Sequence, residues 1–210
     1  MTLETWLAFL VAAFLISLSP GAGAISCMSA GLRFGLARAM WNIAGLITGI
    51  MLVLAIVATG LGALLAASTI AFTIIKWLGV AYLAYLGLMQ WRAPPHAIDP
   101  SSDAKAMGGS RGQLFVRGFL VNATNPKGIV FMLAVLPQFI EPARPQALQY
   151  AICGATLMST DLIVMTGYTA FAAKALRLLR TPTQQKVMNR AFGGLLMGMS
   201  ALLATFKRAA

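Results

Sequence analysis

Two charged residues stand in stretches that otherwise avoid charge. Lys127 follows Asn125 and Pro126 in "VNATNPKGIVFMLAVLPQF", and Asp161 lies inside "LMSTDLIVMTGY". An ammonium and a carboxylate at one depth could hold the two ends of a small zwitterion, or simply pair with each other. A charge at the centre of a bilayer costs at least about 2.5–3.5 kcal/mol on insertion scales. A buried ion pair often stabilises a fold no better than apolar replacements do. Those costs favour a working site over a static lock. Burial favours a neutral carboxyl and a nearby lysine favours the carboxylate, opposing pulls that suit a group exchanging protons. Asp161 is therefore the expected proton-coupling residue. The other four acids, Glu4, Asp99, Asp103 and Glu141, fall in expected loops or at ends.

Prolines supply the second half of the chemistry. Pro20 in "SLSPGAGAIS" and Pro126 in "TNPKG" each remove a backbone donor and free carbonyls of the preceding turn. Within hydrocarbon such groups are tolerated only where protein or a water-filled cavity satisfies them. A polar cavity near mid-membrane follows, with half-helix N-termini that favour an anion. Gly21 and Gly23 would let a ligand approach the backbone closely. The candidate substrate-binding set is Ser19, Pro20, Gly21, Gly23, Asn125, Pro126, Lys127 and Asp161. Asn122 and Tyr168 are secondary candidates. Tyr168 shares a helical face with Asp161, but packing explains it equally well, and Asn122 could merely cap freed backbone.

The elements that must carry these residues are membrane helices. The chain has 210 residues, of which 59% are hydrophobic and 10% charged, against about 25% charged in soluble domains. Residues 5–32 and 39–75 contain no charge at all, and about 20 apolar residues span a bilayer. Six spans are expected, at about 6–29, 40–66, 69–91, 114–139, 147–173 and 189–206. The start, "MTLETW", has an acid and no base, unlike a cleavable signal. With both termini outside, eleven of the sixteen Lys and Arg residues fall in inner loops: two between Arg33 and Arg38, four between Arg92 and Arg117, and five between Lys174 and Arg190. That asymmetry favours both termini outside, and it explains the net charge of +11 without nucleic acid.

The two halves resemble each other. "SPGAGAIS" matches "NPKGIVFM", and "KWLGVAYLAYLG" matches "RAFGGLLMGMSA", which equates Gly79 with Gly193. Three spans per half make any such repeat inverted, and paired proline breaks in inverted halves point to a transporter's central site. The expected fold is an all-α integral membrane protein, with six transmembrane helices as two inverted three-helix repeats whose first helices are broken. Its units are residues 1–91, a cytoplasmic linker at 92–112 rich in Pro, Ser and Gly, and residues 113–210. His96 and the pair Gly108–Gly109 belong to that linker and read as loop residues, with no phosphate-loop element following. "GAGAIS" lacks the strand, third glycine and acid of a dinucleotide fingerprint. No cofactor and no metal site is expected. Gly45 with Gly49, and Gly194 with Gly198, are small-xxx-small pairs. Close packing within the chain is the plain reading, and a homo-oligomer face the bolder one.

At "SLSPGAGAI", "IAGLITG", "IKWLGVAYLAYLG", "VNATNPKGIVFMLAVLPQFI" and "DLIVMTGY" the chain resembles the lysine exporter / homoserine–threonine resistance family of amino-acid exporters, in particular its homoserine/homoserine lactone efflux members. The resemblance covers nearly the whole length. It implies a multi-pass protein of the bacterial cytoplasmic membrane that exports homoserine, homoserine lactone or threonine against protons, and no enzyme activity. Export rather than import rests on this resemblance alone. Many members carry an acid or amide just after the first "SPG", where Ala22 and Gly23 stand here, so backbone rather than side chain is the expected contribution of span one. Two other readings compete. A membrane thiol/disulfide electron carrier would need equivalent cysteines, but Cys27 lies in the first span of one half and Cys153 in the second span of the other. A passive channel for small zwitterions would not need a lysine and an aspartate across its path.

Overall fold

The computed structural model describes residues 1–67, 69–94, 109–141, 143–172 and 181–205, all of whose regular structure is helical. His96, Gly108, Lys105, Asp99 and Asp103 of the linker lie outside the described residues, as do Lys174, Arg177, Arg180, Lys207 and Arg208.

Helix α1, Leu3–Leu18, starts where the Thr2 side chain accepts the backbone N–H of Thr5. It ends at Ser19, and α2, Ala22–Phe34, sets off from Gly21 at 58° to it. Gly35, with φ of 76°, turns the chain directly into α3, Leu36–Ala67. Among the described residues Gly35 is the one with this left-handed backbone, which glycine adopts without strain. Helix α4 is Thr69–Arg92. A reciprocal Ser110–Gln113 capping box opens α5, Arg111–Ala123. Asn125 then caps α6, Pro126–Phe139, which leaves α5 at 50°. Within α6 the turn widens to π geometry over Phe131–Val135 and tightens to 3-10 over Leu136–Phe139. Pro137 accounts for the change, because it has no N–H for the carbonyl of Leu133 and its ring crowds that carbonyl. Helices α7, Gln146–Ala170, and α8, Pro182–Thr205, complete the chain.

By length and apolar character α3 and α7 each suffice to cross a membrane, and each bent pair does so if it counts as one span. Helix α8 starts seven residues before the expected Asn189, so Lys186 and Arg190 sit on helix rather than in a loop. The local reason is the "TPTQ" start: Thr181 and Gln184 exchange side-chain-to-backbone hydrogen bonds of 3.3 and 3.4 Å around Pro182 at the first helical position.

Glycines decide how the helices meet. A methyl on Gly45 or Gly49 of α3 would strike the backbone of Phe115 or Phe119, and one on Gly118 of α5 would strike that of Asn42. Helices α3 and α5 thus touch main chain to main chain, and the "IAGLITG" pair is used inside the chain. Gly87 of α4 and Gly193 of α8 meet in the same way. Gly79, by contrast, lies against Ala134, so Gly79 and Gly193 have different surroundings despite their matching sequence contexts. The interior is apolar: Phe9 packs edge-on to Phe139 at 5.2 Å, beside Phe131, Leu136 and Leu157. Large apolar side chains such as Val11, Ile56, Leu78 and Ile163 cover the outside, as suits a protein whose solvent is lipid.

Candidate functional site

The two proline breaks meet over a cavity of about 50 Å³. One water needs about 10–15 Å³ of such space, so a few fit. Its polar wall includes Ser17, Ser19, Asn122, Asn125, Lys127 and Asp161, and Gly21 and Gly23 bring backbone to its edge. Leu46, Ile50, Phe131 and Leu157 form the apolar side. Seven of the ten residues expected from sequence therefore line one cavity. Pro20 and Pro126 shape the breaks without lining it, and Tyr168 stands outside.

Each break leaves its own set of unpaired backbone groups. In a continuous helix the carbonyl of Ile16 would accept from residue 20, which is proline and has no N–H. The Lys127 ammonium replaces that donor: Nζ donates to the Ile16 carbonyl at 3.1 Å and to the Ser19 carbonyl at 2.5 Å. The Tyr168 hydroxyl donates to a carbonyl between them, that of Leu18, at 2.7 Å. A cation at a helix C-terminus also meets the negative end of the helix dipole. At the other break, the Asn125 side chain accepts the backbone N–H of Lys127 at 3.1 Å, and Asn122 donates across to the Leu46 carbonyl at 2.8 Å. The short α2, with no side chain capping its first turn, opens toward the cavity from Gly21.

Asp161 lies on α7, buried at 9% exposure, and accepts a 2.5 Å hydrogen bond from the Ser17 hydroxyl. No ion pair joins it to Lys127. An ion pair that does form, Arg144 with Glu141 at 2.9 Å, lies at the surface. A permanent Lys127–Asp161 lock is thereby ruled out for this conformation. The ammonium is engaged by neutral carbonyls and the carboxylate by a neutral hydroxyl, so each can exchange a neutral partner for a charged one.

Ser17 was not expected at the site. Its signal was a polar residue three positions, nearly one helical turn, before the proline in "ISLSPG", whereas Ser19 stands directly before it. The apolar wall gave no signal, since leucine and isoleucine fill every span. Cys27 and Cys153 are free and buried in separate apolar clusters. Among the described residues no three His, Cys, Asp or Glu side chains gather as a metal site would require.

Residues 14–206 match the family model described as LysE type translocator. The chain is 48% identical to the homoserine/homoserine lactone efflux protein of Salmonella typhi, over 209 residues that cover all of both chains. It is 43% identical to an uncharacterized membrane protein of Vibrio cholerae serotype O1, over 99% of this chain and all of that one. More distantly, it is 26% identical to the leucine efflux protein of Klebsiella pneumoniae, over 96% of this chain and 95% of the other. No solved structure matches.

Proposed function

Because the chain belongs to the LysE type translocator family, we propose that it is a secondary active transporter that exports homoserine and homoserine lactone by proton antiport. The observation that carries this reading is the unpaired Lys127 and Asp161 facing one cavity where two broken helices meet. The full-length likeness to a homoserine/homoserine lactone efflux protein supports the substrate and the outward direction. Threonine, an isomer of homoserine with the same charged groups, fits the same chemistry.

In this reading a substrate carboxylate takes the Lys127 ammonium from the Ile16 and Ser19 carbonyls, assisted by the backbone N–H groups after Gly21. The substrate ammonium takes Asp161 from Ser17. Asp161 must be ionised to do so and can carry a proton when the site is empty, which couples the two fluxes. The space present suits a few waters, so the walls part when substrate enters. Homoserine lactone keeps the ammonium and lacks the carboxylate, so it relies on Asp161 and gains little from Lys127.

The architecture proposed is six spans in two inverted halves, each opened by a broken helix. Its support is the similar bends of 58° and 50° and an exchange of partners, α3 lying on α5 much as α7 lies on the α1–α2 pair. Loop charge favours both termini outside, and the bacterial relatives suggest the cytoplasmic membrane.

The test is efflux of homoserine and of its lactone from preloaded vesicles under an imposed pH gradient. Wild type should export both. Asp161→Asn should abolish both, and Lys127→Met should lose homoserine far more than lactone. Equal transport by all three proteins would sink the site, and export indifferent to the gradient would leave a passive channel.

A further inference from the structure

Away from the cavity, three cations crowd one recess of about 440 Å³ where the C-terminal end of α4 meets the N-terminal part of α8. Its walls are Trp91, Arg92, Ala93, Pro94, Lys186 and Arg190. Lys186 and Arg190 stand one helical turn apart on α8, hence on one face, and Arg92 comes from α4. All three are exposed. Among the described residues no acid pairs with any of them, and Arg190 lies over the Trp91 ring with its guanidinium 6.0 Å from the centroid.

The recess is held open by the fold rather than by its charges. The Gln90 amide donates to Asn189 at 3.0 Å, and Asn189 donates to the Ala93 carbonyl at 3.3 Å. Just beneath, Gly193 meets the backbone of Gly87 and Trp91. Three like charges are therefore kept together although they repel each other, which calls for an anion. Trp91, 42% exposed, is the residue type that settles at the level of lipid headgroups. In the orientation proposed above, on which this inference rests, this end of α4 and α8 lies on the inner face, where anionic lipids attract basic segments.

We propose that this recess binds the phosphate headgroup of an anionic membrane phospholipid. The guanidinium of Arg92, the ammonium of Lys186 and the guanidinium of Arg190 hold the phosphate oxygens, while the acyl chains run down the apolar outer surface of α4. The site is independent of the transport cavity and of its substrate.

The full chain in an uncharged detergent would be titrated with short-chain phosphatidylglycerol, short-chain phosphatidylcholine and inorganic phosphate. Phosphatidylglycerol should bind saturably and the zwitterionic lipid should not. The Arg92→Gln, Lys186→Gln, Arg190→Gln triple variant should bind about 100-fold more weakly, at roughly fivefold per charge removed. A control triple, Arg33→Gln, Arg38→Gln, Arg111→Gln, removes the same charge from other exposed positions and should bind as wild type does. Should the first triple fail to fold, Lys186→Gln alone should still weaken binding about fivefold. Equal weakening by both triples would reduce the effect to diffuse attraction. Phosphate binding as tightly as the lipid would make this a free-anion site. Either result, or no saturable binding, overturns the proposal.

Discussion

Replacing Lys127 by methionine separates its structural work from its proposed transport work. The substitution keeps a long unbranched chain and removes the donor to two carbonyls, those of Ile16 and Ser19. Hydrogen bonds to charged groups contribute about 1.5–3 kcal/mol each in water-soluble proteins, but side-chain bonds in membrane proteins average nearer 0.6 kcal/mol with a maximum of about 1.7. Two bonds on the membrane scale give about 1–3 kcal/mol. Relief from desolvating the ammonium opposes this loss, and it is reduced because Lys127 faces a cavity with room for water. Water in that cavity can also rehydrate the freed carbonyls, which favours the lower part of the range. The assay is reversible unfolding in mixed micelles, comparing wild type, Lys127→Met and Lys127→Arg. Arginine can restore both donors, so Lys127→Arg should recover most of the stability. Its wider planar head should restore homoserine export poorly. A Lys127→Met protein as stable as wild type would refute the argument that this ammonium stands in for the donor Pro20 lacks.

Three further outcomes follow from the same geometry. Tyr168→Phe removes the donor to the Leu18 carbonyl and should cost about 0.6–1.7 kcal/mol in the same unfolding assay, with transport retained. Gly45→Ala drives a methyl into the Phe115 carbonyl and should destabilise by about 1–3 kcal/mol, the usual cost of overpacking; Gly60→Ala, where nothing lies within 4 Å, is the neutral comparison. The Cys27→Ser, Cys153→Ser protein should still export homoserine from vesicles, and complete loss in a folded variant would revive the thiol carrier.

The helix positions were legible because a charge-free run of 28 or 37 residues, such as 5–32 or 39–75, has no place in a water-facing surface and suits a bilayer. The breaks were legible because proline leaves the backbone little choice. That Lys127 and Asp161 would face the interior followed from the apolar stretches around them. Their partners were not legible. That Lys127 would reach the carbonyls ahead of Pro20 depends on how α1 and α6 pack, which no spacing along the chain encodes, although the missing N–H of Pro20 did announce a need for some donor. The early start of α8 was readable from "TPTQ" but was masked by the charges of Lys186 and Arg190, which resemble those of a loop. The widened turn at Phe131–Val135 had Pro137 as its visible cause, yet whether a proline yields a kink, a π turn or a 3-10 turn is settled by neighbours. The match of Gly79 with Gly193 shows the limit of repeats: similar sequence, different contacts.

Glycine seams also allot where the molecule can bend. Helices α3 and α5 touch through bare backbone at Gly45, Gly49 and Gly118, and α4 and α8 do so at Gly87 and Gly193. With so little side chain between them, such surfaces have few alternative rotamers to repack into, and each pair should move as one stiff plank. The pliable points are the hinges at Ser19–Gly21 and Thr124–Asn125, where the helical ladder is already cut. Lys127 and Tyr168 hold the first of these shut through three carbonyls. In the proposed mechanism, a ligand that drew the lysine away would unlatch the hinge by the same act that seated it.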